Sequence, residues 1–304
     1  MTGGERKLLV VTRIWPTREA PSSGIFVANR FRGMPNVVVA RARHQHRHWI
    51  VALFGFLWDT VRIRGRFEGV EAHVVYPAGF VGWVTARLRR VPLVVYAHGT
   101  DVRDAPTRGP LYRFLARWVV RHADAIVTNS SDTAAHVRRL GRQPIIAPPG
   151  VPLDDFPPSP RPAERRVLYL GGRNPRKGYD VASRLADTLV GPGLREVDAP
   201  EVASLLAAHD ILLVPSVAEP FGLVAVEAIS SGRWVVASDV GGLRDIVIDG
   251  VNGTLVTDGD FAGAIARVPD YDPFAIAPTV ERYSLAAWQA AMTRVWDEVA
   301  PVDG

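Results

Sequence analysis

Short apolar runs that end in small or polar residues recur along the chain. In the first half these runs are LLVVT, PLVVYAHG and ADAIVTNS, and in the second half they are RRVLYLGG, HDILLVPS and RWVVASD. Continuous apolar runs of this length are typical of strands that are buried on both faces of a parallel sheet. The pattern therefore predicts several buried parallel strands in each half of the chain.

Stretches with helical spacing of apolar positions lie between these strands. The spacing predicts helices over residues 24–34, 131–140, 181–189, 200–208 and 222–231. Because strand and helix alternate on both sides of the middle of the chain, we predict an α/β protein with two doubly wound domains.

Prolines mark the boundary between the two halves. Eight of the 24 prolines fall between Pro144 and Pro162, and a segment this rich in proline cannot continue a helix or a central strand. We therefore predict a first domain over 1–147, a proline-rich linker over 148–163 and a second domain over 164–280. A C-terminal helix is expected over 281–304, and the sequence leaves open whether it crosses back to the first domain.

The two halves of the chain also differ in net charge. The net charge is +5, but residues 1–157 hold 23 Lys and Arg against 11 Asp and Glu, a net +12, so the remainder carries −7. This asymmetry suggests that the basic half meets an anionic surface. The chain has no cysteine, which excludes disulfides, thiolate zinc sites and cysteine nucleophiles.

The longest apolar run, WIVALFGFLW at 49–58, has about half of the roughly 20 residues that a membrane-spanning helix needs. Arginines and histidines surround it from Arg41 to Arg66, as in a helix that lies on anionic lipid; a buried helix with a basic rim explains the pattern equally well. The apolar run near the N-terminus is too short for a secretory signal. We expect a cytoplasmic protein, with peripheral contact at the inner face of the membrane as one option.

Two patterns resemble metal sites. His44, His46 and His48 alternate, but arginines crowd them and no carboxylate is near, which is unfavourable for ligation. Asp258 and Asp260 precede a helical stretch, and Asp260 is more simply explained as its N-cap. We therefore expect neither a metal nor another cofactor.

A basic turn, RNPRKGYD, follows the first predicted strand of the second domain. Its glycines allow close backbone approach, and Arg173, Arg176 and Lys177 are suited to a phosphate or diphosphate. The chain has 34 arginines and only two lysines, so a lysine at this place is unusual. A solvated basic turn is the alternative.

The segment EPFGLVAVE places a carboxylate on either side of a predicted helix start. Pro220 and Gly222 suit the first turn of a helix, whose free N–H groups bind anions. Glu227 then lies about one turn into the helix, where it can accept hydrogen bonds from sugar hydroxyls, and Glu219 stays in the preceding loop.

Residues 219–256, beginning EPFGLVAVE, resemble the signature region of the family-4 retaining glycosyltransferases, with Glu219 and Glu227 matching the E-x7-E motif. GGRNPRKG resembles the family's diphosphate site, HGTDV its acceptor-side histidine loop, WPTREAPSSGIFVANRF its first glycine-containing loop and PPGVPLDDF its interdomain segment. The resemblance covers nearly the whole chain. It implies the GT-B fold, in which two Rossmann-like domains enclose the active site in the cleft between them.

The resemblance also implies roles for individual residues. Arg173 and Lys177 would bind the donor diphosphate, Glu227 the ribose hydroxyls, and His98 would lie beside the reacting centre. Glu219 would hold the transferred sugar and phosphate together with the backbone amides of Phe221, Gly222, Leu223 and Val224. The remaining implied positions are Gly24 near the donor phosphates and, on the acceptor side, Gly99, Thr100 and Asp101.

Two departures from the family pattern stand out. Pro149 occupies a place where the family commonly has Asn, and the stretch between Lys177 and Glu219 lacks one strand–helix unit. If the missing unit is the edge strand of a sheet with the order 3-2-1-4-5-6, the ligand crevice between strands 1 and 4 survives.

The expected activity is retaining transfer of a sugar from a nucleotide-sugar, such as a UDP- or GDP-sugar, to a hydroxyl acceptor. The acceptor would be a glycan, a lipid-linked molecule or a small molecule, and no nucleic acid partner is expected. Two alternatives stay open. One is a GT-B sugar-nucleotide epimerase or hydrolase, and the other is a module that binds a nucleotide-sugar without turnover.

Overall fold

The computed structural model describes residues 6–17, 24–42, 49–105 and 107–301. The chain divides into two compact units, the first formed by residues 1–149 and 288–304 and the second by residues 150–287. The strands are β1 Leu8–Thr12, β2 Val37–Arg41, β3 Gly69–His73, β4 Leu93–Ala97, β5 Ala125–Thr128, β6 Ile145–Ile146, β7 Val167–Tyr169, β8 Thr188–Leu189, β9 Ile211–Val214, β10 Trp234–Ser238 and β11 Gly253–Val256. The α-helices are α1 Ile25–Arg30, α2 Trp49–Val61, α3 Ala78–Arg89, α4 Thr100–Arg103, α5 Pro110–His122, α6 Ser131–Arg139, α7 Tyr179–Leu185, α8 Ala199–Ala207, α9 Leu223–Ser230, α10 Leu243–Ile246, α11 Phe261–Ala266, α12 Pro273–Ile276 and α13 Leu285–Val299.

The first unit contains a six-stranded parallel sheet with the order β2-β1-β3-β4-β5-β6. Strands β1, β3 and β4 are buried along their whole length, as continuous burial on both faces of a parallel sheet requires. Strand β2 lies on one side of β1, and β3 and the later strands lie on the other side, so the strand order reverses between β1 and β3. In sheets of this type ligands bind at such a reversal, outside the carboxyl ends of the strands.

The C-terminal helix α13 belongs to the first unit from Trp288 onward. Trp288, Met292 and Trp296 repeat every four residues, so they share one face of the helix, and all three are buried. A Cβ atom at Gly69, in β3, would lie 2.3 Å from the Trp296 ring, so this strand position has to be a glycine.

The second unit contains a five-stranded parallel sheet with the order β11-β10-β9-β7-β8. Compared with the order 3-2-1-4-5-6, the absent strand is the third, which would pair with β8 at the edge. An edge strand can be lost without separating inner strands, and β7 and β9, the counterparts of strands 1 and 4, remain paired. The crevice at their carboxyl ends is therefore retained.

The predicted helix over 181–189 is too long, because α7 ends at Leu185. Ala186 is extended, and Thr188–Leu189 form β8, which pairs with β7. The Asp187 side chain accepts a hydrogen bond from the backbone N–H of Val167 at 2.7 Å. This contact and the strand pairing outweigh the helical spacing of the segment.

The proline-rich segment packs on the second unit. Val151 and Phe156 are buried in its core, and the buried Arg233 donates to the carbonyl oxygens of Ser159 and Pro160 at 2.8 and 3.1 Å. The segment predicted as a linker over 148–163 is thus mostly a part of the second unit, which begins at Gly150.

Helix α2 has two unlike faces. Phe56 points into the core, but Ile50, Val51, Phe54 and Trp58 are between 49% and 65% exposed. Among the residues that the structure describes, no helix is long and apolar enough to cross a membrane. The histidines at 44, 46 and 48 lie outside the described residues.

Candidate active site

The loop that follows β7 carries the predicted diphosphate site. The Asn174 side chain accepts from the Arg176 N–H at 3.0 Å and caps a short 3-10 helix, Pro175–Lys177, which ends at Gly178. Gly178 has a φ of +75°, and a Cβ atom there would lie 2.0 Å from the carbonyl oxygen of Pro215. Only glycine permits this approach, so the loop after β7 packs closely against the loop after β9.

Lys177 and Glu219 join these two loops directly. The Lys177 Nζ atom lies 2.6 Å from Glu219 Oε2, and Ser216 Oγ donates to the same oxygen at 3.2 Å. Glu219 is buried, whereas the Lys177 side chain is 38% exposed and can still be reached by a ligand. Two residues that lie 42 positions apart in the sequence thereby form an ion pair at the switch point of the sheet.

The main chain around Glu219 is fixed by a glycine pair. Gly242 donates its N–H to the Glu219 carbonyl oxygen at 2.9 Å, and a Cβ atom at Gly241 would lie 2.0 Å from that oxygen. The loop after β10 therefore supports the loop that carries Glu219. Glu219 is thus held by a backbone contact from the loop after β10 and by the Lys177 side chain from the loop after β7.

Helix α9 begins directly after this loop. Gly222 is its N-cap, with a φ of +115° and no side-chain cap on the first turn. The first-turn N–H groups of a helix have no partner within the helix, and they attract anions together with the helix dipole. Leu223 and Val224, the first two helical residues, are partly exposed, so this end of the helix is accessible.

Glu227 lies one turn further along α9. Its side chain is half-buried, and within the described parts of the chain no group donates a hydrogen bond to it or forms an ion pair with it. Burial raises the pKa of Glu227 from 4.5 to about 7. Glu227 is therefore an unsatisfied acceptor beside an anion-binding helix end, in contrast to Glu219, which is already paired.

Arg173 lies in the same loop as Lys177. Its backbone N–H donates to the Pro192 carbonyl at 2.8 Å, and its exposed guanidinium lies 5.6 Å from the centre of the Tyr179 ring. The structure places the predicted donor-side residues in the loops that follow β7 and β9 and in the first two turns of α9; these residues are Arg173, Lys177, Glu219, Phe221, Gly222, Leu223, Val224 and Glu227.

The first unit carries the other predicted residues. Gly24, with a φ of +69°, begins α1, and a Cβ atom there would lie 2.5 Å from the carbonyl carbon of Ile14. His98 follows β4, is partly exposed, and is contacted edge-on by the Phe26 ring of α1 at 4.9 Å. Gly24 and His98 therefore belong to one region of the first unit.

Asp101 holds the loop after His98 in place. Its Oδ1 atom accepts from the N–H groups of His98 and Gly99 at 3.0 and 2.9 Å, and its Oδ2 atom accepts from Val75 at 2.7 Å. Asp101 is buried, and burial raises its pKa although these bonds oppose the shift. The geometry gives this carboxylate a supporting part in the loop, whereas Thr100 is exposed.

Other polar side chains lie behind His98 and were not predicted. His73 Nδ1 lies 3.0 Å from His98 Nε2, and Glu71 Oε1 lies 3.2 Å from His73 Nε2. Arg30 and Trp296 approach the other oxygen of Glu71. Glu71 and His73 are two residues apart in GVEAH, and a strand assignment there would have placed them on one face.

No group of three or more His, Asp or Glu side chains that could hold a metal is found within residues 6–17, 24–42, 49–105 and 107–301. Asp260 is the N-cap of α11, as predicted: its side chain accepts from the Gly263 N–H at 2.8 Å.

Two family models match consecutive parts of the chain. Residues 9–150 match a glycosyl transferase 4-like domain, and residues 153–269 match glycosyl transferases group 1. The chain is 32% identical over 271 residues to a D-inositol 3-phosphate glycosyltransferase of Geodermatophilus obscurus, covering 67% of this chain and 60% of the relative. A protein of the same name from Mycobacterium tuberculosis (strain F11) is 33% identical over 264 residues, covering 68% and 55%. The chain thus spans somewhat more than half the length of these relatives.

Solved structures show the same fold. The Anabaena protein HepE, in complex with UDP and glucose, superposes with a TM-score of 0.76 at 18% identity, covering 96% of this chain and 99% of HepE. Sucrose-phosphate synthase from Thermosynechococcus elongatus gives a TM-score of 0.73 at 20% identity, covering 97% and 99%. The two parallel-sheet domains and these superpositions show that the chain has the GT-B fold, and each domain matches a glycosyltransferase family model.

Proposed function

We propose that this GT-B chain transfers a sugar from a nucleotide-sugar donor to a hydroxyl acceptor with retention of configuration. The observation that supports the proposal most is the arrangement at the switch point of the second unit. There a lysine, an uncapped helix end and an unsatisfied carboxylate lie within two adjacent loops and the first turns of α9. These three groups match the diphosphate and the ribose of a nucleotide-sugar.

In this proposal Lys177, Arg173 and the N-terminus of α9 neutralise the diphosphate as it leaves. Negative charge grows on the diphosphate oxygens when the bond to the anomeric carbon breaks, and fixed cationic and N–H groups stabilise that charge without reorganisation. Glu227 accepts hydrogen bonds from the ribose hydroxyls. Glu219, held by Lys177 and Ser216, faces the transferred sugar.

Retention would follow from transfer on the front face of the sugar. The acceptor oxygen bonds to the anomeric carbon on the face that the diphosphate leaves, and the acceptor proton passes to the leaving phosphate oxygen. A double displacement would need a free carboxylate as the nucleophile on the acceptor side. Asp101, the carboxylate beside His98, is occupied by three backbone N–H groups, and this favours the front-face route.

The comparisons suggest the first substrates to try. HepE was solved with UDP and glucose, which makes UDP-sugars the first donors. The curated relatives are named for D-inositol 3-phosphate, an anionic polyol, and an anionic acceptor suits the net +12 of residues 1–157.

We further propose that the first unit lies on anionic lipid, and a lipid-linked acceptor would then be within reach. Helices α2, α3 and α5 form one layer, because α3 contacts both of the others. The layer exposes apolar side chains beside arginines, as an interfacial surface does. The exposed apolar residues are Ile50, Val51, Phe54, Trp58, Leu88, Leu111 and Phe114. The exposed arginines are Arg87, Arg113, Arg117 and Arg121 on α3 and α5, and Arg62, Arg64 and Arg66 in the segment that follows α2.

The proposal is tested by incubating the 304-residue chain with UDP-, GDP-, ADP- and dTDP-sugars, with and without D-inositol 3-phosphate or lipid-linked acceptors. Proton NMR of the product gives the anomeric configuration. Product with the donor's configuration, formed only when an acceptor is present, supports the proposal. Free sugar or an epimer formed at full rate without acceptor would indicate a hydrolase or an epimerase, and donor binding without turnover would indicate a binding module.

A further inference from the structure

A buried chain of side chains leads from α1 to His98. Arg30 NH2 lies 3.6 Å from Glu71 Oε2, Glu71 Oε1 lies 3.2 Å from His73 Nε2, and His73 Nδ1 lies 3.0 Å from His98 Nε2. Arg30 is 2% exposed, and Glu71 and His73 are fully buried, so His98 is the one member that reaches solvent. Burial of a charged group costs free energy unless the group is paired or hydrogen-bonded. Here the buried groups contact one another in a series that ends at His98.

The ionisation of Glu71 decides which nitrogen of each histidine carries the hydrogen. Burial opposes its charge, but Arg30, His73 and the Trp296 N–H, which donates at 3.0 Å, outweigh burial and hold the pKa of Glu71 at about 2. The Oε1 atom of the ionised carboxylate lies 3.2 Å from His73 Nε2 without hydrogen-bond geometry, and its negative charge favours a hydrogen rather than a lone pair on that nitrogen. With one proton on the ring, His73 Nδ1 is then an acceptor, and His98 has to donate from Nε2.

We propose that Glu71 and His73 are positioning residues that keep the hydrogen of His98 on Nε2, so that His98 Nδ1 is presented to a substrate hydroxyl as an acceptor. The inference rests on the proposed function for the identity of the hydroxyl, which belongs to the donor sugar or the acceptor. Within the described residues, no side chain occupies His98 Nδ1.

Packing keeps the imidazole rings in place. His98 and His73 each stack on the Tyr96 ring, with centroids 4.6 and 5.5 Å away, and Phe26 closes the edge of His98. The Tyr96 hydroxyl donates to the Ala147 carbonyl at 2.5 Å and so does not compete for either histidine. Ring rotation is therefore restricted, and the contact with His73 decides which nitrogen of His98 carries the hydrogen.

The tautomer is measured directly by two-dimensional ¹H–¹⁵N NMR of histidine side chains in the ¹⁵N-histidine-labelled 304-residue chain, without substrate. The His98 and His73 signals are assigned from their loss in His98→Gln and His73→Phe. We expect His98 to show a protonated Nε2 and an unprotonated Nδ1 in the wild type, and to populate both tautomers in His73→Phe. A His98 ring that carries its hydrogen on Nδ1 in the wild type would overturn the inference.

Kinetics provide the second test. His73→Phe preserves the stacking on Tyr96 but removes the partner of His98, and kcat should fall about ten- to a hundredfold with donor KM within about twofold. His73→Asn places an amide oxygen near the position of Nδ1 and should recover much of kcat. Equal kcat in wild type and His73→Phe, or equal loss in both variants, would contradict a positioning role.

A matched control is His122→Phe, the same replacement at an exposed histidine of α5 that stacks on Trp118. It should leave kcat and the His98 signals unchanged. Because the tautomer is read without substrate, it stands even if no sugar donor is turned over. Failure of the positioning inference and failure of the proposed function therefore give different results.

Discussion

The ammonium group of Lys177 lies 2.6 Å from a carboxylate oxygen of Glu219 and links the loops that follow β7 and β9. Lys177 comes from the basic turn and Glu219 from the segment that precedes α9. Because Lys177 is the ion-pair partner of Glu219, a donor diphosphate that binds Lys177 would also alter the surroundings of Glu219. The roles of the two residues in the proposed reaction should therefore be coupled.

Replacement of Lys177 tests the diphosphate site. Lys177→Ala should lower kcat/KM by more than about tenfold, because a charged hydrogen bond to the leaving diphosphate contributes about 1.5–3 kcal/mol. The matched control is Lys7→Ala, which removes the other lysine of the chain and should leave kcat/KM unchanged. Steady-state kinetics with a nucleotide-sugar measure both, and equal values for both variants would remove Lys177 from the site.

A double-mutant cycle tests the coupling. Lys177→Ala and Glu219→Gln should be non-additive in kcat/KM, because each removes the partner of the other, by about 0.5–3 kcal/mol. Lys177→Ala and Glu227→Gln should be closer to additive, since no hydrogen bond or ion pair joins these two described residues. Additivity in the first cycle would mean that the ion pair plays no part in the transition state.

The two glutamates should differ in the kind of loss that their replacement causes. Glu219→Gln should mainly lower kcat, because contacts at the reacting sugar strengthen in the transition state, whereas Glu227→Gln should mainly raise donor KM. Circular dichroism first confirms that both variants are folded. The same kinetic pattern in both variants would refute the separate roles.

The raised pKa of Glu227 predicts a pH dependence of donor binding. With a pKa of about 7, the carboxylate loses its charge as the pH falls through neutrality, and ribose hydroxyls then meet a weaker acceptor. The dissociation constant of the donor should rise from pH 8 to pH 6 in the wild type, as measured by calorimetry. The change should be smaller in Glu227→Gln, and identical profiles would contradict the assignment.

The raised pKa of Glu227 also predicts how the stability of the fold depends on pH. A carboxyl group whose pKa is raised on folding contributes stability that is present below its unfolded pKa, near 4.5, and is lost as the pH rises through about 7. The melting temperature of wild type relative to Glu227→Gln should therefore decrease between pH 5 and pH 8. A difference that does not depend on pH would show that Glu227 is not buried enough to titrate late.

The exposed layer of the first unit predicts binding to anionic lipid. Sedimentation with vesicles should increase with the anionic lipid content and decrease with salt. Phe54→Ser with Trp58→Ser should weaken it, because both side chains are more than half exposed on α2. The matched control is Phe274→Ser, an exposed phenylalanine of the second unit. If binding does not change with lipid charge, with salt or in the α2 variants, the proposed lipid-binding surface is wrong.

The fold was largely predictable where burial and apolar sequence coincide. Strands β1, β4, β5, β7, β9 and β10 are continuous apolar runs, and each was predicted. Strand β3, with the sequence GVEAH, was missed, because its Glu71 and His73 look like surface residues until their partners on α1, on α13 and in the loop after β4 are known. Strand β8 has two residues and no pattern of its own, so it was absorbed into a predicted helix.

The candidate site also has parts that the sequence predicts and parts that it does not. Lys177, Glu219 and Glu227 were predicted because loops after parallel strands carry chemistry and the helix start is visible in the sequence, and the structure places them in the loops after β7 and β9 and in α9. The ion pair of Lys177 with Glu219, the support from Gly241 and Gly242, and the full use of Asp101 by backbone N–H groups all depend on contacts between distant segments. The periodicity of a sequence carries no information about such contacts.

Thermal unfolding with a panel of UDP-, GDP-, ADP- and dTDP-sugars tests the central claim most directly. A ligand at 100 times its dissociation constant should stabilise the folded chain by about 2.7 kcal/mol. We predict that sugars of one nucleotide base raise the melting temperature of the wild type and of Lys7→Ala, and that Lys177→Ala and Glu227→Gln lose most of this increase. No response to any nucleotide-sugar, or an equal response in all four proteins, would contradict a donor site at Lys177, Glu219 and Glu227.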